Sequence, residues 1–215
     1  MTDVMTAHAW KSNAHMLADL LRIMTPPEGR WCDLTYGAGA WWREPNTPPA
    51  DLVRCVGPHT DRTDADIVCD FRATPFAGDE FAVVAYDPPY TLKGTDAQFA
   101  AMNCRYGIDG ATMAANRGQH ATRKEALAAL IRDGLTEAAR ITRLGGWVMA
   151  KAGRGIDGGK IFATDDLMVR FGHVLGLSEV TSLWLLTTPR PQTHRGPQQT
   201  PRSNVSRLTV FEVPA

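Results

Sequence analysis

Apolar positions along the chain alternate between two rhythms, one helical and one strand-like. From Ala14 to Met24 the residues Met16, Leu17, Leu20, Leu21, Ile23 and Met24 fall at helical spacing, and Thr25-Pro26-Pro27-Glu28-Gly29 stops the pattern. Strand-like runs follow at Arg30 to Thr35, Asp51 to Val56 and Asp66 to Cys69, and Phe81 to Tyr86 is apolar almost throughout. A continuous apolar run suits a central parallel strand covered on both faces. Glu125 to Leu144 predicts an amphipathic helix closed by Gly145-Gly146, Trp147 to Ala150 a fifth strand, and Asp165 to Leu175 another helix. Ser182 to Thr187 and Arg207 to Val213 predict the last two strands. Residues 91–124 are polar with no clean period, and residues 188–204 are rich in Pro and polar side chains, so both are expected to be loops. Strands alternating with helices predict an α/β class: a doubly wound, mainly parallel, seven-stranded sheet with helices on both faces, in one domain spanning 1–215.

The 215 residues, 44% hydrophobic and 21% charged, have the balance of one ordinary globular domain, which needs no disulfide or metal staple. No stretch of eighteen apolar residues occurs, and the N-terminus carries no apolar run of signal-peptide type. A cytoplasmic protein, away from membranes, is expected. Cys32, Cys55, Cys69 and Cys104 form no CxxC pair and have no His at zinc-ligand spacing, so they read as reduced thiols acting as small hydrophobes, and no metal is expected. The net charge of zero hides an asymmetry. Residues 1–100 carry eight Lys/Arg against fourteen Asp/Glu, and residues 101–215 carry fifteen against nine. An acidic half suits hydroxyls and amines of a small ligand, and a basic half suits a polyanion.

Two motifs carry chemistry. Asp33-Leu34-Thr35-Tyr36-Gly37-Ala38-Gly39 stands where the first of these strands ends, and its glycines let the backbone turn sharply against a ligand lying over the carboxyl ends of the strands. The third glycine of a dinucleotide fingerprint is missing. Asp61, twenty-two residues beyond Gly39, stands where an acid accepts both hydroxyls of a ribose, so a nucleoside-containing cofactor fits better than one needing a pyrophosphate cradle. A structural strand-to-helix turn is the alternative reading of these glycines.

Asp87-Pro88-Pro89-Tyr90 follows the most apolar strand directly, which sets it on the same sheet edge. Two prolines stiffen the turn and lack N–H donors, leaving carbonyl oxygens to face a crevice. An amine could use them: one proton to the Asp87 carboxylate, one to a main-chain carbonyl such as that of Pro88. Its nitrogen lone pair then points toward an electrophile, and Tyr90 offers a flat face for a base. The pairs Pro26-Pro27 and Pro48-Pro49 read as ordinary surface turns, and Trp41-Trp42 reads as packing.

With these residues in view, Asp33 to Gly39 resembles the cofactor motif, and Asp87 to Tyr90 the catalytic motif, of S-adenosylmethionine-dependent amino-methyltransferases acting on adenine N6 or cytosine N4 in DNA. Asp66 to Pro75 is similar to the segment that places an acid, here Asp70, beside the cofactor adenine, with Phe71 next to it. Gly145 to Lys151 is similar to the strand after that family's GG turn, and Arg202 to Val213 to its closing strand. The run Thr35 to Trp42 is similar to small members borne by phages or prophages. The resemblance implies a Rossmann-like class I methyltransferase fold and S-adenosylmethionine as cofactor. It implies binding residues Asp33, Thr35, Tyr36, Gly37, Gly39, Asp61, Asp70 and Phe71, with Asp87, Pro88, Pro89 and Tyr90 catalytic. Tyr36 departs from the Phe of many members.

Methyl transfer to a flipped base of duplex DNA, most simply adenine N6, is the activity the resemblance implies, because Asp at the first motif position is commoner in the adenine enzymes. No separate target-recognition domain is visible in the sequence. DNA contacts are therefore expected from Arg105 and Arg117 in 91–124, from the 153–164 loop, or from Arg190, Arg195 and Arg202 in 188–204. Cytosine N4 methylation, an RNA base methyltransferase and a non-catalytic subunit of a heteromeric enzyme are the competing readings. The oligomeric state is left open between monomer and homodimer.

Overall fold

The computed structural model describes residues 10, 12–44, 49–57, 64–89, 122–157, 160–186 and 204–215. In chain order the elements are α1 (Asn13–Ile23), β1 (Trp31–Asp33), β2 (Leu52–Val56), β3 (Ile67–Val68), β4 (Phe81–Tyr86), α2 (Arg123–Ile141), β5 (Thr142–Asp157), β6 (Lys160–Ala163), α3 (Thr164–Val174), β7 (Ser178–Leu186) and β8 (Val205–Glu212). The sheet runs β3-β2-β1-β4-β5-β8-β7, with β6 attached to β5. Ladders from β3 to β5 are parallel; β5–β8, β7–β8 and β5–β6 are antiparallel. Seven strands on one path agree with the sequence reading, and β6 is an eighth. At the antiparallel end β8 lies between β5 and β7 and runs opposite to both.

Helix ends follow local chemistry. Ser12 caps α1 by accepting from the His15 N–H at 3.2 Å, and the chain turns extended at Met24 ahead of the two prolines. A capping box opens α2: the Glu125 N–H donates to Thr122 Oγ1, and the Thr122 N–H to Glu125 Oε2.

Two expectations are corrected here. The helix expected to reach Leu144 stops at Ile141, where the Thr142 hydroxyl donates to the Ala138 carbonyl at 2.7 Å and β5 begins. Gly145-Gly146 therefore lies inside β5: between the pairs Phe81↔Thr142 and Val83↔Trp147, β4 advances two residues while β5 advances five. Gly145, at φ 70°, makes that bulge. Second, much of the stretch 153–164 is no loop. It holds the end of β5 and all of β6, and its Arg154 is paired with Asp165 at 2.8 Å.

Each face of the sheet has its own core. On one, Leu127, Leu130, Ile131, Leu135, Ala138 and Ile141 of α2 pack with Met168 of α3 against Phe81, Val84, Tyr86 and Val148. On the other, Met16, Leu17 and Leu20 of α1 share the surface with Trp10, Trp31, Trp41, Trp42 and Trp147, five of the chain's six tryptophans. Indoles here fill volume beside α1, the one helix on that face among the described residues.

Gly134 of α2 lets the helix approach β4. A Cβ there would sit 2.6 Å from Phe71 Cε2 and from Tyr86 Cζ. Gly134→Ala gains about 1 kcal/mol of helix propensity against an overpacking cost of about 1–3 kcal/mol in a rigid aromatic core. The second effect wins, and urea denaturation is expected to give a lower midpoint; an unchanged or raised midpoint would contradict this account of the packing.

Candidate active site

Strands β1, β4 and β5 run parallel and end on one edge of the sheet. Side chains alternate between faces, so Trp31 and Asp33 of β1, Val83 and Ala85 of β4 with Asp87 after them, and Met149 and Lys151 of β5 all turn toward the α1 side. The registers Asp33↔Ala85 and Tyr86↔Ala150 bring Asp33, Asp87 and Lys151 together there.

Hydrogen bonds join the two motifs directly. The Asp87 N–H donates to Thr35 Oγ1 at 2.7 Å, and the Thr35 N–H donates to Asp33 Oδ1 at 2.9 Å. Adjacent indoles then serve the two acids: Trp42 Nε1 donates to Asp33 Oδ2 at 2.7 Å and Trp41 Nε1 to Asp87 Oδ2 at 3.1 Å. Lys151 Nζ stands 3.4 and 3.5 Å from the two Asp87 carboxylate oxygens. The Asp87 carboxylate thus faces inward and lies within reach of the glycine turn.

That turn is shaped by its own backbone. The Leu34 N–H donates to the Ala85 carbonyl, the Tyr36 N–H to that of Cys55, and the Gly39 N–H to that of Tyr36. Gly37 and Gly39 have φ of 51° and 63°, the left-handed region where a side chain is strained. A Cβ at Gly39 would also lie 2.8 Å from the Tyr36 hydroxyl, which itself donates to Asp64 at 3.4 Å. The turn is therefore held small and open.

Asp33 is buried, and burial pushes its carboxyl up to about 7; the Trp42 and Thr35 hydrogen bonds pull the other way, and the charge of Asp87 adds to the rise. A folded pKa above the unfolded 3.8 means the folded chain holds a proton that the unfolded chain has lost. The stability from this group is full below about pH 4 and is lost as pH climbs through 7, by about 4 kcal/mol at most. Urea unfolding of wild type and Asp33→Asn at pH 4.5 and pH 8 (about these values) checks it. The variant is expected to gain on wild type with rising pH, and a constant difference would overturn the assignment.

Other residues of interest fall nearby or elsewhere. Pro88 and Pro89 are buried at the corner after β4. Asp70 accepts from the Arg72 backbone at 2.9 Å and from its guanidinium at 2.6 Å. Phe71 is 0% exposed; its ring packs on Tyr86 in the α2 core, centroids 5.7 Å apart, so its part in this structure is packing. Asp61, Tyr90, Arg105, Arg117, Arg190, Arg195 and Arg202 lie outside the described residues. Cys32 of β1, Cys55 of β2 and Cys69 just after β3 are free thiols, with Cys32 and Cys55 Sγ 3.6 Å apart. The hydrogen bond to Cys32 pushes the Cys55 thiol upward and the hydrogen bond to Cys55 pushes that of Cys69 upward, burial adding to both, which makes both poor nucleophiles. Among the described residues, no His, Cys, Asp or Glu cluster could hold a metal, and no helix is long and apolar enough to cross a membrane.

Sequence reading missed three contributors. Trp41 and Trp42 do pack, with the Trp31 and Trp42 rings edge to face at 6.2 Å, yet each indole N–H also holds an acid. Lys151 reads as the end of a strand. Its signal is the alternation in Trp147-Val148-Met149-Ala150-Lys151, which turns the lysine to the same face as buried Trp147 and Met149.

No protein-family model matches the chain, and no curated protein matches it in sequence. Solved structures do match its fold. The complex of the Haloferax volcanii Trm112 methyltransferase activator with a chain assigned as a methyltransferase gives a TM-score of 0.52 at 16% identity, over 94% of this chain and 90% of that one. An S-adenosylmethionine-dependent methyltransferase from Leishmania major gives 0.50 at 8% identity, over 90% and 69%. The fold is that of Rossmann-like class I methyltransferases. A Thermus thermophilus protein assigned as a DNA modification methylase, solved with S-adenosyl-L-methionine, gives 0.46 at 15% identity over 69% of this chain and 54% of its own. The chain spans about half the length of the Thermus thermophilus structures it matches.

Proposed function

We propose that this chain transfers a methyl group from S-adenosylmethionine to the exocyclic amino group of a base in DNA, adenine N6 being the acceptor. The observation that carries the reading is the Thr35 link: the glycine turn and the Asp87-Pro88-Pro89 corner are bonded to each other on one face at the carboxyl edge of a methyltransferase sheet. In open α/β sheets that edge is where ligands lie.

The turn fits the cofactor, since Gly37 and Gly39 keep the main chain from Thr35 to Gly39 open to close approach. Thr35 to Gly39, Asp61 and Asp70 would hold the cofactor, with Asp33 buried beneath the turn. When bound, the cofactor supplies an electrophilic methyl group on a sulfonium sulfur. Asp87 and the Pro88 carbonyl would accept hydrogen bonds from the two amine N–H groups, which aims the nitrogen lone pair out of the base plane; Asp87 would stabilise the positive charge that develops on nitrogen, and the one surplus proton would leave from that nitrogen to solvent. Tyr90 stacks on the base. The segments after Pro89 and after Leu186 both leave from this edge, so Arg105, Arg117, Arg190, Arg195 and Arg202 are assigned to phosphate contacts.

Incubation with labelled cofactor and unmodified duplex DNA, followed by nucleoside mass spectrometry, is expected to yield N6-methyladenosine of the deoxy series. Label on cytosine N4, or on ribosomal RNA in a parallel arm, would replace the acceptor named here. Asp87→Ala is expected to lower turnover by roughly a thousandfold or more, the scale of general acid–base and electrostatic contributions, with cofactor affinity within about twofold by calorimetry. Gly39→Asp is expected to show the reverse, weakened cofactor binding; full affinity in that variant would remove the turn from the cofactor site.

A further inference from the structure

The geometry points to Trp41 and Lys151 as positioning residues for the Asp87 carboxylate, a role that deepens the amino-methyl transfer proposed above and rests on it. A carboxylate that orients an amine must present a fixed lone pair, and a free Asp side chain rotates. Here Trp41 Nε1 fixes Oδ2 at 3.1 Å, while the Lys151 ammonium spans both oxygens at 3.4 and 3.5 Å. Trp41 is buried, the Lys151 side chain is 3% exposed and that of Asp87 is 22% exposed. The carboxylate is gripped from the interior and open on the side toward solvent.

Packing alone does not account for the lysine. It projects into a core face lined by Met149 and Leu208, where an apolar side chain of similar length would avoid the desolvation of an ammonium. The Asp87 carboxylate, 3.4 Å from Nζ, gives the cation its electrostatic reason. Nor is the indole interchangeable with another ring. Trp42 holds Asp33 while its neighbour Trp41 holds Asp87, so one dipeptide sets the spacing between the cofactor turn and the corner.

The test uses the full chain with Trp41→Phe, Lys151→Met and Lys151→Arg. Both Trp41→Phe and Lys151→Met are expected to lower kcat by roughly ten- to a hundredfold, the scale of a small misplacement. KM for DNA and Kd for cofactor should stay within about twofold, and Lys151→Arg should recover part of the loss. A second readout needs no turnover. In 15N–1H spectra the Trp41 indole resonance is expected to shift, and its solvent exchange to quicken, in Asp87→Ala and in Lys151→Met, while that of Trp42 keeps its position. Unchanged kcat in both variants, or a Trp41 resonance indifferent to Asp87→Ala, overturns the positioning role. Wild-type chain that labels no nucleic acid would instead overturn the proposed function, with the indole spectra still deciding whether Asp87 is held.

Discussion

Two carboxylates facing the same way from neighbouring strands, at the brink of a hydrophobic core, must each meet donors before the chain can close around them. Thr35 serves the Asp33 carboxylate with its N–H and ties in Asp87 by accepting that residue's backbone N–H on its hydroxyl, while the Asp87 carboxylate itself meets Trp41 and Lys151. The rest of the edge follows from that link. The chain must reverse within a few residues of β1 to keep Thr35 in place, which asks for left-handed backbone at Gly37 and Gly39, and the reversal delivers Trp41 and Trp42 back over the acids they serve. The glycine turn and the proline corner are thereby lodged in a single hydrogen-bonded unit.

Around this unit the sheet does two jobs. Its parallel half brings the ends of β1, β4 and β5 side by side, and its antiparallel end makes β7 finish on the same edge. The stiff corner after β4 differs from its surroundings in composition as well as in shape, since Pro88 and Pro89 give up N–H donors where acceptors are useful.

Much of this was legible in the sequence because it rests on local signals. The boundaries of β4 match to the residue, since six apolar positions in a row leave little freedom, and α1 lies within a residue of its expected ends because proline and a serine cap bracket it. Less legible was whatever depends on partners distant in the chain. The Gly145-Gly146 pair resembles a helix stop, yet it is a bulge that only the pairing with β4 reveals. Phe71 sits beside Asp70 in the sequence but points into the opposite core, a matter of which face its position takes. Trp41 and Trp42 look like packing because their N–H groups matter only once Asp87 and Asp33 are folded beneath them. Lys151 escaped notice for the same reason.

The tryptophan-rich core under the turn has a consequence for how such a chain can change. In many cores the side chains that fill volume and those that satisfy buried acids are separate populations, free to drift independently. Here Trp41 and Trp42 belong to both. Selection for tight packing and selection for the geometry of Asp33 and Asp87 therefore pull on the same two positions, so substitutions there cannot trade one property against the other and should be the last to diversify.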